Sequence, residues 1–274
     1  MSRIALIGYG EVGHILDEDF RALGHTVSVY DVAVPGTSLA EALAEAELVV
    51  SAVTPGSCVG AAQAATDHLP DGAWFFDLNS ASPGHKTAAA QLVDDAGGRY
   101  VEAALMSAIG PRRLGSPFLL GGAWAAPFAE VADGFGLTDV TVVPGPVGRA
   151  AATKLCRSVV VKGLEALFTE GLAAARHHGV EDDVLASLSN ILPEADWEQI
   201  AGYFVSRSLR HGRRRSEEML EAAATVDESG IEPLMSEAAS RRQSWAASLG
   251  VDSDGRSLSE LLDRLLAARS RPST

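Results

Sequence analysis

Gly8-Tyr9-Gly10-Glu11-Val12-Gly13 decides the fold, because of what flanks it. Before it, Ile4-Ala5-Leu6-Ile7 is a short, wholly apolar run of the kind that forms a buried parallel strand, and after it Val12 to Leu23 carries helical periodicity. A second apolar run, Val27-Ser28-Val29-Tyr30, ends in Asp31. Strand, glycine turn, helix, strand and terminal acid, in that order, form the fingerprint of a dinucleotide site. The three glycines serve different ends. Gly8 allows the tight turn, Gly10 lets the backbone approach a pyrophosphate, and Gly13 lets the helix pack on the strand. The start of the helix adds free N–H groups and the positive end of a dipole for the phosphates. Tyr9, Glu11 and Val12 complete the cofactor-binding turn.

Asp31 indicates which dinucleotide. A carboxylate at the end of the second strand accepts from the ribose hydroxyls of NAD and repels the 2′-phosphate of NADP. Val32-Ala33-Val34-Pro35 after it offers no Arg or Lys to hold such a phosphate. The sequence therefore favours NAD, with NADP the lesser candidate.

The first half continues to alternate. Leu48-Val49-Val50-Ser51-Ala52-Val53, Ala73-Trp74-Phe75-Phe76-Asp77-Leu78, Tyr100-Val101-Glu102-Ala103, Pro117-Phe118-Leu119-Leu120 and Val140-Thr141-Val142-Val143 read as strands. The segments between them, such as Ser57 to His68 and Ser82 to Ala96, are Ala-rich and helical. This predicts an α/β Rossmann domain, a doubly wound and mostly parallel sheet with helices on both faces. Pro144-Gly145-Pro146 punctuates the chain, and beyond it the periodicity is helical throughout. The expected organisation is a dinucleotide-binding domain over 1–146, an interdomain helix over 147–178 and an all-helical substrate and dimerisation domain over 179–274. The tail from Arg269 to Thr274 reads as disordered.

Bulk composition narrows the function. The chain has 274 residues and a net charge of −14, which repels a phosphate backbone and argues against nucleic acid; Arg213-Arg214-Arg215 is too local to reverse that. Cys58 and Cys156 are too few for a disulfide framework and lack metal-ligand spacing, so no metal is expected. No run approaches the roughly 20 apolar residues of a membrane span. No basic-then-apolar leader precedes the first strand, which suits a cytoplasmic enzyme.

The predicted long helix carries an apolar face of Leu155, Val159, Leu164, Leu167 and Phe168, and a polar row of Lys154, Ser158, Lys162 and Glu165 stacked on another side. Two of the chain's three lysines stand in this row, in a chain whose cations are otherwise arginine. Lysine loses its proton when desolvated, whereas arginine does not, so the row marks a place for proton transfer. A solvated face with a Lys162–Glu165 pair is the plainer alternative. Farther on, His211, Arg214, Arg215 and Glu218 follow helical spacing and share one face. That face is either a salt-bridge cluster or the closing wall of the site, with an arginine fork gripping a carboxylate or phosphate and Glu218 fixing one arginine.

At Gly145-Pro146-Val147-Gly148, followed by Lys154, the chain resembles the β-hydroxyacid dehydrogenase superfamily, which includes 3-hydroxyisobutyrate dehydrogenase and short relatives of 6-phosphogluconate dehydrogenase. Val53-Thr54-Pro55 resembles the family loop that touches the cofactor. Asp77-Leu78-Asn79-Ser80-Ala81-Ser82-Pro83 resembles its Asp-x-Ser-Thr-x-x-Pro segment beside the nicotinamide ribose. His211 to Met219 resembles the His-x-x-Arg-Arg-x-x-Glu-Met helix of the "putative phosphogluconate dehydrogenase, NAD-binding, C-terminal" domain. The resemblance implies an oxidoreductase acting on CH–OH donors. Lys154 would be its general acid or base and Ser158 its substrate-orienting residue, with Asn79 and Ser80 at the nicotinamide and Lys162 against a substrate anion or as a neighbouring charge. It also implies a homodimer through the helical domain, where Leu185, Leu188, Ile191, Ile200, Phe204, Leu209, Met219 and Leu220 need partners.

Two departures alter the expected pocket. Met106-Ser107-Ala108 replaces the family's Ser-Gly-Gly substrate loop, and Ser158 stands where an Asn is usual. Both weaken 3-hydroxyisobutyrate as substrate. Two other functions compete with the dehydrogenase: imine reduction on the same scaffold, against which Lys154 and Asp31 argue, and non-catalytic NAD binding.

Overall fold

A computed structural model describes residues 1–191 and 193–269. Chain contacts divide it into two compact units, 1–155 and 156–274. The division falls inside the long helix.

The first unit alternates as expected. Its strands are β1 (Arg3–Ile7), β2 (Thr26–Tyr30), β3 (Leu48–Ser51), β4 (Trp74–Asp77), β5 (Arg99–Leu105), β6 (Phe118–Gly121) and β7 (Val140–Val142). Its helices are α1 (Glu11–Ala22), α2 (Leu39–Leu43), α3 (Cys58–Ala65), α4 (Pro83–Asp95) and α5 (Ala125–Val131). The sheet order is β2-β1-β3-β4-β5-β6-β7, and every pairing is parallel except β5 with β6. Alternate residues of each strand feed opposite faces. Ile4, Leu6, Leu48, Val50, Phe76 and Val101 pack with Phe118 and Phe128 on one side, and Ala5, Ile7, Val49, Phe75 and Tyr100 pack with Ala62 and Val93 on the other. The strand order reverses at β1 and β3, so the crevice outside their carboxyl ends is where a doubly wound sheet takes its ligand.

Helix α6 (Arg149–His178) begins in the first unit and runs unbroken into the second. The second unit continues with α7 (Glu181–Leu188), α8 (Trp197–Asp227), α9 (Leu234–Ser248) and α10 (Leu258–Arg269). Its core gathers Leu172, Val205, Leu209, Ala246, Leu258, Leu261, Leu262 and Leu265. Helices α8 and α9 approach closely at Gly212, where a Cβ would stand 2.3 Å from the Gln243 carbonyl oxygen. The tail beyond Arg269, read from the sequence as disordered, lies outside the described residues.

In the second unit Phe168 of the apolar face of α6 packs against the helical core, but two other members of that face are exposed. Ser158, Lys162 and Glu165 of the polar row are buried, while Leu164 and Leu167 of the apolar face are 39% and 55% exposed and adjoin Val160 at 62%. The polar row is inside because α8 and α9 bring polar partners to it. Of the apolar residues read as needing partners, Leu209 and Met219 are buried within the chain itself, while Ile191 and Leu220 are exposed.

Candidate active site

The glycine turn separates what the fold needs from what a ligand needs. Gly8 has φ +100°, and a Cβ there would lie 2.4 Å from the Ala52 carbonyl oxygen; one on Gly13 would lie 2.3 Å from the carbonyl oxygen of Gly8. Packing alone therefore demands both glycines. Gly10 has φ −80°, and a Cβ on it would meet nothing within 4 Å. No side chain caps α1 at this residue. Bare backbone facing open space at a helix N-terminus is what a pyrophosphate requires. The residues present therefore fit a dinucleotide.

Around the turn, Tyr9 N–H donates to Asp31 Oδ2 at 2.7 Å and Ala33 N–H to Asp31 Oδ1 at 2.7 Å. Asp31 is thus fixed beside the turn. The Tyr9 ring stacks on His14 at 3.8 Å, and its hydroxyl donates to Asp17 at 2.8 Å, a bond that raises the phenol's pKa.

The next two strand ends are tied together. After β3, Val53 N–H donates to Asn79 Oδ1 at 2.7 Å, and Asn79 Nδ2 donates to Ser51 Oγ at 2.9 Å. Thr54 and Ser57 hydroxyls lie 3.0 Å apart across the short turn that Pro55 opens. Ser80, beside Asn79, receives Lys154 Nζ at 2.6 Å. Lys154 is half-buried. Met106, Ser107 and Ala108 follow at the end of β5. Met106 N–H donates to the Pro117 carbonyl, and Ser107 Oγ donates to the Ala108 carbonyl at 3.1 Å.

Two groups that the sequence reading passed over support this edge. Glu102, fully buried in β5, accepts from Gly148 N–H at 2.8 Å and Ala151 N–H at 2.6 Å, capping α6 one turn before Lys154. A charged acceptor on a buried helix N-terminus contributes about 2 kcal/mol. Gly121 on β6 makes room for it: a Cβ there would overlap the Glu102 carboxylate. The second group is Lys86, buried in α4 and paired with Asp77 at 2.8 Å. The available signal was an acid within an apolar strand and a third lysine in an arginine-biased chain.

The helical unit gathers its own charges. Arg215 pairs with Glu165 at 2.6 Å, both buried, and Gln243 Nε2 donates to Glu165 at 3.4 Å. Lys162 pairs with Glu218 and donates to Ser158 Oγ at 3.3 Å. Burial lowers the Lys162 pKa, while the Glu218 charge opposes that shift. The charged residues of this face take different partners. Arg215 turns inward to Glu165, because a carboxylate without a partner there would be costly. Arg214 keeps its side chain 48% exposed, with Nε 3.9 Å from Glu218. Lys162 takes Glu218 rather than Glu165 as its ion-pair partner. His211 is held below its ordinary pKa by burial and then by the charges of Arg207, Arg214, Arg215 and Arg210.

Among the described residues no group of His, Cys, Asp and Glu is arranged to hold a metal ion, and no helix is long and apolar enough to cross a membrane. Cys58 is buried and Cys156 exposed; neither is in a disulfide.

Comparison with known proteins agrees with this architecture. A family model described as a domain of unknown function, DUF1932, matches residues 175–246. A conserved hypothetical protein from Sinorhizobium meliloti 1021 is 30% identical, with 98% of this chain and 97% of that one covered and a TM-score of 0.75. The conserved protein MTH1747, of unknown function and described as structurally similar to 3-hydroxyacid dehydrogenases, is also 30% identical, over 97% and 98% of the two chains, at a TM-score of 0.68. A 3-hydroxyisobutyrate dehydrogenase from Mycobacterium tuberculosis, solved with L-serine, shares the fold at 16% identity over 97% and 99% of the chains, with a TM-score of 0.73. Imine reductases share the fold as well.

Proposed function

The chain belongs to the β-hydroxyacid dehydrogenase superfamily, and from that premise we propose that it is an NAD-dependent oxidoreductase acting on a small, anionic hydroxyl or carbonyl compound. The observation that carries this is Lys154 Nζ at 2.6 Å from Ser80 Oγ, in the unit that also carries the glycine turn. Gly8 to Gly13, Asp31, Val53, Thr54, Pro55, Asn79 and Ser80 would hold NAD, which would supply the hydride acceptor. Oxidation of a hydroxyl also requires removal of its proton, and a lysine amine is a group that can accept it. Ser80 holds that amine in place. In the reverse direction the ammonium returns the proton to the forming hydroxyl.

Ser158, one helical turn after Lys154, is assigned to orient the substrate hydroxyl, and Met106, Ser107 and Ala108 to line the pocket. His211, Arg214, Arg215, Glu218 and Lys162 of the helical unit are assigned to substrate binding. The preference for NAD is supported by Asp31, whose carboxylate is fixed by two backbone N–H groups. We place the protein in the cytoplasm, where its free thiols are stable. The exposed strip of Val160, Leu164 and Leu167 supports a homodimer with an isologous helical interface. On this proposal Leu167→Glu yields a monomer in native mass measurement.

The functional test is an NADH titration followed by turnover on a panel of small hydroxy acids. Binding with turnover is the expected result. Binding without turnover makes the chain a non-catalytic NAD protein, and no binding refutes the proposal.

A further inference from the structure

Lys86 is the lysine that the proposed chemistry leaves unused. It is 1% exposed, and its Nζ lies 2.8 Å from Asp77 Oδ1 and donates to the Asp77 carbonyl oxygen at 2.9 Å. The Asp77 carboxylate, itself fully buried, also accepts from Tyr100 Oη at 2.6 Å, from Cys58 Sγ at 3.2 Å and from Asn79 N–H at 3.0 Å. These donors come from α3, α4, β5 and the turn after β4. Burial pushes the Cys58 thiol up to about 12 and the Tyr100 phenol well above its ordinary value, so both stay protonated as donors.

A buried ion pair of this kind adds little stability over apolar side chains of the same volume, so its use lies in what it fixes. It fixes Asn79. Through its side-chain amide, Asn79 joins the turn after β4 to Ser51 and to Val53 N–H. The next residue is Ser80, which receives Lys154. The adenine half of a dinucleotide would be held elsewhere on this edge, by the ends of β1 and β2 beside Asp31.

We propose that the Lys86–Asp77 pair is a positioning lock for the nicotinamide half of the cofactor site, setting Asn79 and Ser80 without serving the adenine half. The lock rests on the dinucleotide assignment above. Lys86 acts through Asp77 and touches no reacting atom.

The test uses Asp77→Asn/Lys86→Met, which removes both charges together so that neither is left buried alone. Amide hydrogen exchange in the ligand-free protein should become at least about tenfold faster over residues 78–82, with β1 and β2 unchanged. The Kd for NADH should rise by about tenfold, while the Kd for ADP-ribose stays within about twofold. Lys86→Arg keeps the charge but brings a bulkier, planar head. It should show the same split between the two ligands, which decides the matter if the double variant does not fold. Unchanged exchange overturns the lock whether or not a dinucleotide binds. Equal weakening of both ligands overturns it too, because it reports a general structural role. Failure of the unmodified protein to bind either ligand overturns the dinucleotide assignment, and with it the function given to the lock.

Discussion

Gly10→Ala separates a glycine kept for a ligand from one kept for the fold. Gly10 has φ −80°, and a Cβ there meets nothing within 4 Å. In the ligand-free protein two small effects oppose each other. Alanine restricts the unfolded chain, a gain of about 0.4–1 kcal/mol, and it is a poorer helix N-cap than glycine by roughly 1 kcal/mol. The net change should stay within about 1 kcal/mol, or about 2–4 °C in Tm for a protein of this size. Gly8→Ala and Gly13→Ala behave differently, since each would press a methyl to 2.4 Å or 2.3 Å from a backbone carbonyl oxygen. Overpacking against rigid backbone, with positive φ at Gly8, should cost about 2–5 kcal/mol. In an NADH titration, Gly10→Ala should raise Kd by at least about tenfold, or 1.4 kcal/mol, because the methyl stands where backbone and pyrophosphate meet. The reasoning is refuted if Gly10→Ala binds NADH as the unmodified protein does, or if it loses as much Tm as Gly8→Ala.

Asp31→Asn should narrow the gap between NADH and NADPH affinities by removing a charge that faces the 2′-phosphate; equal affinities in the unmodified protein would refute the NAD assignment. Arg215→Ala leaves the buried Glu165 carboxylate without its cation, so chemical denaturation should show a loss of about 3–5 kcal/mol, recovered in Arg215→Met/Glu165→Gln. Arg214→Ala should instead raise the substrate KM while Tm changes little, since that side chain is half exposed. His211 has a lowered pKa in the folded protein, so below about pH 6.5 the unfolded chain binds a proton that the folded one resists, and stability falls as pH falls. His211→Gln should flatten part of that fall in melts run between about pH 7.5 and 5.5, His25 contributing in the same sense.

All seven strands were legible, because a parallel sheet covered on both faces needs continuous apolar runs and glycine or proline punctuation between them. The antiparallel entry of β6 was not, since strand direction leaves no mark in an apolar run such as Phe118-Leu119-Leu120. Within the candidate site, local motifs are what single out Gly8 to Gly13, Asp31 and Lys154. What escaped depended on contacts between distant parts of the chain. The ion pairs of Lys162 and Glu165 were not legible because their partners, Glu218 and Arg215, lie on another helix. Leu164 and Leu167 looked like core for the same reason, as periodicity shows that a face is apolar and not what covers it. In the sequence Glu102 is legible only as part of a strand, and its capping of α6 follows from Gly148 and Ala151 folding back onto it.

The central claim is that Lys154 moves the proton that accompanies hydride transfer, and its most direct test is turnover of Lys154 variants on whichever hydroxy acid the unmodified protein oxidises. Lys154→Met should keep its fold and NADH affinity and lose turnover by about 10²–10⁴-fold, the range that general acid–base catalysis supplies. Lys154→Arg should fail almost as badly, because a guanidinium keeps its proton. An Arg variant that retained most of the activity would contradict the claim and make Lys154 a binding charge.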